Sequence, residues 1–364
     1  MTLDTASLAG VLRVQPGGEL PTIASTRREL APLLGRGQPA TQLGARLSLL
    51  FTLCGGAHRV AADRAVAAAG VPAPPSEHTQ HDPLPGDPAQ RQALRVDTLR
   101  EHLRRLWLDA PRALPDQAPP DPADLAGCAL LRRADALDEG RAWARAHVFG
   151  MPVAEWLAAW NDDPRCAAEW AARGATWPAR WLHGLRARLG GLQQRVVALA
   201  AHASPQELQR LAAQLRQEEG FALAPTWRGR SAETGCWTRL ADRHAQDPDG
   251  PYAALWLRHA ARLADLARLL EPGGERWLAL GGLSLAEGEG LGWCEMARGL
   301  LVHWVRVDGE GCVADCRLIA PTEWNFHPYG SAARALAQLS TEADAAQVRR
   351  VVGAYDPCVA VEVS

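Results

Sequence analysis

Residues 51–58 read Phe51-Thr52-Leu53-Cys54-Gly55-Gly56-Ala57-His58. The surrounding segment, 41–70, has helical apolar spacing on both sides of Cys54, with Leu47, Leu50, Leu53, Val60 and Val66 as packing positions. In a helix, Cys54 and His58 share one face, as half of a metal site would. A buried thiol beside a core or capping histidine fits the same spacing. Gly55 and Gly56 weaken a helix but admit close approach of a backbone or ligand.

Working outward, Val11, Leu12 and Val14 before a Pro-Gly-Gly turn predict a short strand within 10–25. The Pro-rich stretch 72–88 reads as a loop. Arg91 to Leu108 reads as an amphipathic helix carrying Leu99, Leu103 and Leu106, and a second Pro-rich stretch, 111–122, follows. Residues 125–217 are mostly helical in pattern. Ser204-Pro205-Gln206-Glu207 predicts a helix start with a reciprocal Ser/Glu cap. A helix over 252–270 ends at Pro272-Gly273-Gly274. Leu301–Val307 and Cys312–Ile319 predict two strands joined through Asp308-Gly309-Glu310-Gly311. The expected class is α+β, predominantly helical, with small β elements near both ends.

Composition narrows the function. Of 364 residues, 47% are hydrophobic and 22% charged, as in a globular chain. A net charge of -2 argues against a nucleic-acid partner held by charge. All 39 basic residues are arginine, which excludes a lysine Schiff base or P-loop chemistry. Met1–Gly10 lacks the basic and apolar regions of an export signal, and no apolar run reaches about 18 residues, so no membrane span is expected. Eight cysteines are too few for a disulfide scaffold, and free thiols point to the cytoplasm. No GxGxxG, P-loop, HExxH or GxSxG motif is present.

Other segments carry chemistry-bearing residues. In Asp356-Pro357-Cys358, proline presents the thiol on a stiff backbone, although a buried structural cysteine fits as well. Cys312 and Cys316 lie about 13 Å apart along a strand and read as packing residues. Glu233-Thr234-Gly235 and Arg298-Gly299 read most simply as solvated turns, with Arg298 an alternative anion donor. Pro321-Thr322-Glu323-Trp324-Asn325 reads as a tight turn carrying a hydroxyl and an amide.

Taken in order, these pieces resemble the large subunit of nickel-iron hydrogenases in a degenerate form, and more narrowly the HupK/HoxV group of hydrogenase expression and formation proteins. Arg13-Val14-Gln15 resembles the family's Arg-Ile-Glu element, and Leu53–His58 its CxxCxxxH site. Glu233 to Arg239 resembles Glu-Thr-Gly-Pro-Leu-Ala-Arg, and Ala297-Arg298-Gly299 with His303-Trp304 resembles Pro-Arg-Gly…His-Trp. Pro321–Asn325 resembles Pro-Thr-x-Trp-Asn, and Asp356–Ser364 resembles the terminal DPCxxCxxH element. The resemblance implies one hydrogenase large-subunit-like domain over 1–364. Within it fall an amino-terminal β/helix lobe (1–71), a helical body (72–275) and a carboxy-terminal β-containing lobe (276–364).

The departures shape the implied function. The family's four nickel thiolates fall here on Phe51, Cys54, Cys358 and Val361, so only two sulfurs remain. Neither nickel nor an iron-sulfur cluster is expected. Ser364 replaces the terminal histidine, Leu30 falls on an acidic position with Glu29 one place off, and Gln15 replaces a proton-relay glutamate. The chain stops where the mature family chain stops, implying no cleavable tail. Arg298, Pro321 and Thr322 match positions that surround the iron's cyanide ligands in the family, and Cys54 and Cys358 would supply thiolates, with His58 beside them. Cys358 matches a nickel-only ligand, so its use implies a shifted iron position. The resemblance thus implies a cytoplasmic maturation factor without hydrogenase activity. It would bind Fe(CN)2CO transiently, with a HypC/HypD-type iron-ligand assembly complex and the large-subunit precursor as partners. A metal-free decoy or chaperone is the alternative, and a residual redox enzyme a further one.

Overall fold

The computed structural model describes residues 10–51, 53–70 and 87–364. Strands β1 (Val11–Val14) and β2 (Ile23–Ser25) pair antiparallel, and β1 pairs in parallel with the terminal strand β7 (Ala360–Val363). The two ends of the described chain therefore meet: Val11 opposes Ala360, and the Ser364 amide donates to the Val14 carbonyl at 3.0 Å. This pairing carries Cys358 back to the amino-terminal region.

The second sheet is an antiparallel meander of β3 (Leu280–Ala286), β4 (Glu289–Met296), β5 (Gly299–Val307) and β6 (Val313–Ile319). The β5–β6 hairpin matches the expected turn at 308–311, although Cys312 lies outside β6 and bridges to Pro39. Strands β3 and β4 were not legible in the sequence. Gly281, Gly282, Gly290 and Gly292 interrupt their alternation, and β4 is buried along its whole length.

Helices α1 (Leu30–Gly35), α2 (Leu43–Leu50) and α3 (Gly55–Ala68) follow β2. Helix α3 lies against the meander, where β4 presents glycine. A Cβ on Gly292 would sit 2.1 Å from the Ala61 carbonyl oxygen and 2.4 Å from the Ala65 nitrogen. Ala61, Ala62 and Ala65 are fully buried on this contact. The backbone-to-backbone approach sets the depth at which the start of α3, with Cys54 and His58, enters the molecule.

The helical run 41–70 is broken where Phe51 ends α2 and Cys54 caps α3 with φ −134°. Leu53, expected to pack, lies on this break and is 55% exposed. The Pro-rich loop 72–88 falls almost wholly outside the described residues. Helix α4 (Pro88–Arg104) is capped by Asp87, which accepts from the Ala89 amide at 3.2 Å. It buries Leu94, Leu99 and Leu103 and runs on into a π turn, Arg105–Asp109.

The body continues through α5 (Pro122–Ala126), α6 (Leu137–Ala144), α7 (Val153–Asp162), α8 (Ala167–Arg173), α9 (Trp177–Leu189) and α10 (Pro205–Gln217). At α10, Ser204 Oγ accepts from the Glu207 amide at 3.2 Å. The reciprocal half of that cap does not form, because the Glu207 carboxylate pairs with Arg210 and Arg228 instead. Helix α11 (Leu255–Leu270) is buried on nearly every face, including Arg258, His259, Arg262 and Asp265. It is the axis of the core. Helices α12 (Pro321–Asn325), α13 (Ser331–Ala337) and α14 (Ala345–Ala354) lead to β7. Among the described residues no helix is long and apolar enough to cross a membrane.

Candidate functional site

The sequence motifs interlock in space. Asn325 Oδ1 accepts from the Thr234 amide at 2.8 Å, and its Nδ2 donates to the Thr234 carbonyl at 2.7 Å and the Tyr355 carbonyl at 3.0 Å. Thr234 Oγ1 accepts from the Leu300 amide at 2.8 Å. Gly299 has φ +127°, and a Cβ there would meet Thr234 Oγ1 at 2.5 Å, so glycine is required by both conformation and space. Glu233, read from sequence as part of a solvated turn, is fully buried. Its carboxylate pairs with Arg258 and accepts from Trp237 Nε1 at 3.0 Å and Ser331 Oγ at 2.8 Å. Arg298 is likewise 1% exposed rather than solvated.

This frame holds the candidate residues. Cys54, His58 and Cys358 line one cavity of about 420 Å3, together with Arg27, Phe51 and Glu323. Thr322 Oγ1 lies 3.1 Å from Cys358 Sγ and accepts the Cys358 amide at 3.2 Å. Pro321 opens the short helix α12 that presents Thr322. Cys54 also lines a second, more polar cavity with Arg298 and Glu101. The other four sequence candidates thus lie beside one or other of the two thiols. Cys358 lies just ahead of β7, half-buried, rather than inside a terminal strand.

Burial, together with the neighbouring Cys358, pushes the Cys54 thiol up to about 12. A bound cation would reverse that penalty and favour the thiolate. Burial opposes the charge of Arg298, but the carboxylates of Asp356 and Glu101 keep it protonated. One guanidinium nitrogen, Nη2, pairs with Glu101 Oε1. The other two, Nε and Nη1, are buried and have no acceptor. Such orphaned donors are costly in an interior unless a ligand satisfies them.

His58 lines the thiol cavity with its ring held by two neighbours. Its Nδ1 lies 3.0 Å from His303 Nε2, and its ring stacks on Phe51 at 4.0 Å and 15°. Burial holds His58 well below its usual range and His303 down to about 3, so both rings are neutral. Val361 pairs with Leu12 in the terminal sheet. The sequence reading missed Arg27, which donates to Glu323 at 2.6 Å and lies 3.9 Å from Cys358 Sγ. It also missed Glu101 and Arg105. Their i,i+4 spacing across the end of α4 was the available signal, but it reads equally as a solvent-facing pair.

His102, Cys236 and Asp265 form a buried cluster with ligand atoms within 4.8 Å of one another. Arg239 already forks onto Asp265 at 2.7 and 3.2 Å, and Cys236 donates to the Ala297 carbonyl at 3.3 Å. The cluster therefore braces the segment that carries Arg298.

The nickel-dependent hydrogenase family model matches residues 281–364. The reduced, active Ni-Fe-Se hydrogenase from Desulfomicrobium baculatum superposes with a TM-score of 0.54 at 14% identity, covering 92% of this chain and 93% of that chain. The [NiFeSe] hydrogenase G491S variant from Desulfovibrio vulgaris Hildenborough gives 0.55 at 15% identity over 92% of each chain. The molecule thus has the nickel-iron hydrogenase large-subunit fold.

Within that class, the chain is 39% identical to the hydrogenase expression/formation protein HoxV of Cupriavidus necator, over 97% of this chain and 94% of HoxV. HupV of Azotobacter chroococcum is 33% identical over 97% of this chain and 96% of its own length, and HupK of Bradyrhizobium diazoefficiens 30% identical over 94% and 92%. The chain belongs to this family of hydrogenase expression/formation proteins.

Proposed function

We propose that this protein is a hydrogenase maturation factor that holds or carries the Fe(CN)2CO part of the nickel-iron active site. On this reading it does not itself turn over hydrogen. The observation that carries the proposal is Arg298: a buried guanidinium with two unpartnered N–H donors, electrostatically coupled to Cys54 and Cys358. Two soft thiolates suit a transition metal, and anionic cyanide nitrogens are acceptors suited to Nε and Nη1. The Thr322 hydroxyl adds a donor on the Cys358 side. Phe51 and Val361 bring carbon where a four-sulfur nickel site needs thiolate, which argues against a complete nickel centre. The relatives' names as expression/formation proteins support a maturation role.

The partners on this reading are cytoplasmic maturation proteins, a HypC/HypD-type iron-ligand assembly complex and the large-subunit precursor. Leu49, Leu53 and Leu223 are exposed around the thiol cavity, which also suits the metal-free chaperone reading. Infrared spectroscopy separates the two. Protein purified anaerobically from cells making the iron-ligand assembly proteins should show cyanide and carbonyl stretching bands, lost in Cys54→Ala and Cys358→Ala. Partner binding without bands would leave the chaperone reading, and hydrogen uptake by the isolated chain would overturn the non-enzyme reading.

A further inference from the structure

We infer that Arg105 is a positioning residue that locks the Cys358 turn to the Glu101–Arg298 pair, making the two sides of the thiol site one unit. The inference rests on the reading of that site as a metal-cargo site. Helix α4 does not stop at Arg104 but makes one π turn, Arg105–Asp109. The wider turn re-aims side chains, and such turns recur at functional sites. Two guanidinium nitrogens of Arg105 donate hydrogen bonds, and the third, Nε, makes ion-pair contacts without a hydrogen bond of its own. Nε lies 3.2 Å from Asp356 Oδ1 and 3.5 Å from Glu101 Oε1, Nη1 donates to Asp109 at 2.9 Å, and Nη2 donates to the Pro357 carbonyl. Among the described ion pairs, Arg105 alone touches both Glu101 and Asp356.

The turn needs such a hold. Asp356 has φ +52°, a left-handed conformation that a non-glycine residue keeps only where its surroundings fix it. Arg105 grips the Asp356 carboxylate and the Pro357 carbonyl, Arg262 lies 3.6 Å from the same carboxylate, and Thr322 holds the Cys358 amide from the other side. A planar fork with several fixed donors suits this task, and lysine could not replace it.

Cobalt(II) added anaerobically to the metal-free chain provides the test, through its thiolate charge-transfer absorption. The wild type should show two-thiolate intensity, and Cys358→Ala half of it. Arg105→Gln should fall to the Cys358→Ala level with affinity reduced about tenfold. Arg105→Lys should behave like Arg105→Gln. Arg112→Gln, an exposed neighbour, should match the wild type. Wild-type intensity in Arg105→Gln, or full rescue by Arg105→Lys, would overturn the inference. If the wild type lacks a two-thiolate band, the cargo reading fails and alkylation of the metal-free thiols decides the positioning role. Cys358 should then react about fivefold faster in Arg105→Gln with Cys54 unchanged, and equal rates would refute it. Should Arg105→Gln fail to fold, Asp109→Asn removes only the Nη1 anchor and should shift Cys358 reactivity the same way, by less. No shift there would count against the inference.

Discussion

Thr322 Oγ1 lies 3.1 Å from Cys358 Sγ and also accepts the Cys358 amide at 3.2 Å, so one hydroxyl fixes both the backbone and the sulfur of this thiol. Thr322→Val keeps the shape and removes both contacts. The expected loss is about 1 kcal/mol, with faster amide exchange at Cys358. Thr322→Ser, which retains the hydroxyl, should restore protection. Hydrogen exchange resolved to the 356–359 peptide checks this, and equal exchange in the valine variant would show that the turn is held by other contacts alone.

Glu101 and Arg298 form a buried pair, with side chains 8% and 1% exposed. Removing Glu101 leaves Arg298 with Asp356 as its remaining carboxylate, and breaking such a buried pair costs about 3 kcal/mol. Glu101→Gln should therefore lower urea stability by that order at pH 7. A change under about 1 kcal/mol would mean that Asp356 alone compensates Arg298.

Much of this arrangement was legible in the sequence because its motifs are local. The β5–β6 hairpin announced itself through Asp308–Gly311, and α10 through Ser204-Pro205. Cys54, Thr322 and Cys358 stood in short motifs whose order along the chain pointed to one site. Burial was the invisible part. Glu233 and Arg298 looked like turn charges because their partners are distant in sequence: Arg258 is 25 residues away and Glu101 is 197. Strands β3 and β4 were hidden by the glycines that let α3 approach. Arg105 was hidden because a π turn leaves no compositional mark.

Those glycines give a graded prediction. At Gly292 a methyl group would meet backbone atoms of α3 at 2.1 and 2.4 Å, which cannot move without displacing the helix. Gly292→Ala should cost about 3 kcal/mol or prevent folding. At Gly56 the obstruction, 2.0 Å away, is the carboxylate end of Asp97, whose side chain is 49% exposed and can turn aside. Gly56→Ala should cost about 1 kcal/mol or less. Gly191→Ala, with nothing within 4 Å, should be close to neutral. Thermal melts of the three variants test the ranking, and equal losses at Gly292 and Gly191 would contradict the close packing of α3 on β4.

His259 supplies a pH-dependent contribution to stability. Burial, aided by Arg262, pushes its imidazole down to about 3 from the ordinary 6.5, while Nε2 donates to the Arg350 carbonyl at 2.9 Å. The folded state keeps the ring neutral, and the unfolded chain protonates it near 6.5. The unfolded state therefore binds the extra proton as pH falls. The contribution is fully present above 6.5 and is lost progressively between about 6.5 and 3, at up to about 1.4 kcal/mol per pH unit. Asp265, held low against burial by Arg239 and His102, acts in the same direction at more acidic pH. Glutamine at 259 can still donate to Arg350 but cannot titrate. Urea unfolding of His259→Gln between pH 4 and 6 should show a slope of stability against pH smaller by about one proton's worth. An unchanged slope would mean that position 259 takes up no extra proton on unfolding, and the acid lability would belong to the buried carboxylates instead.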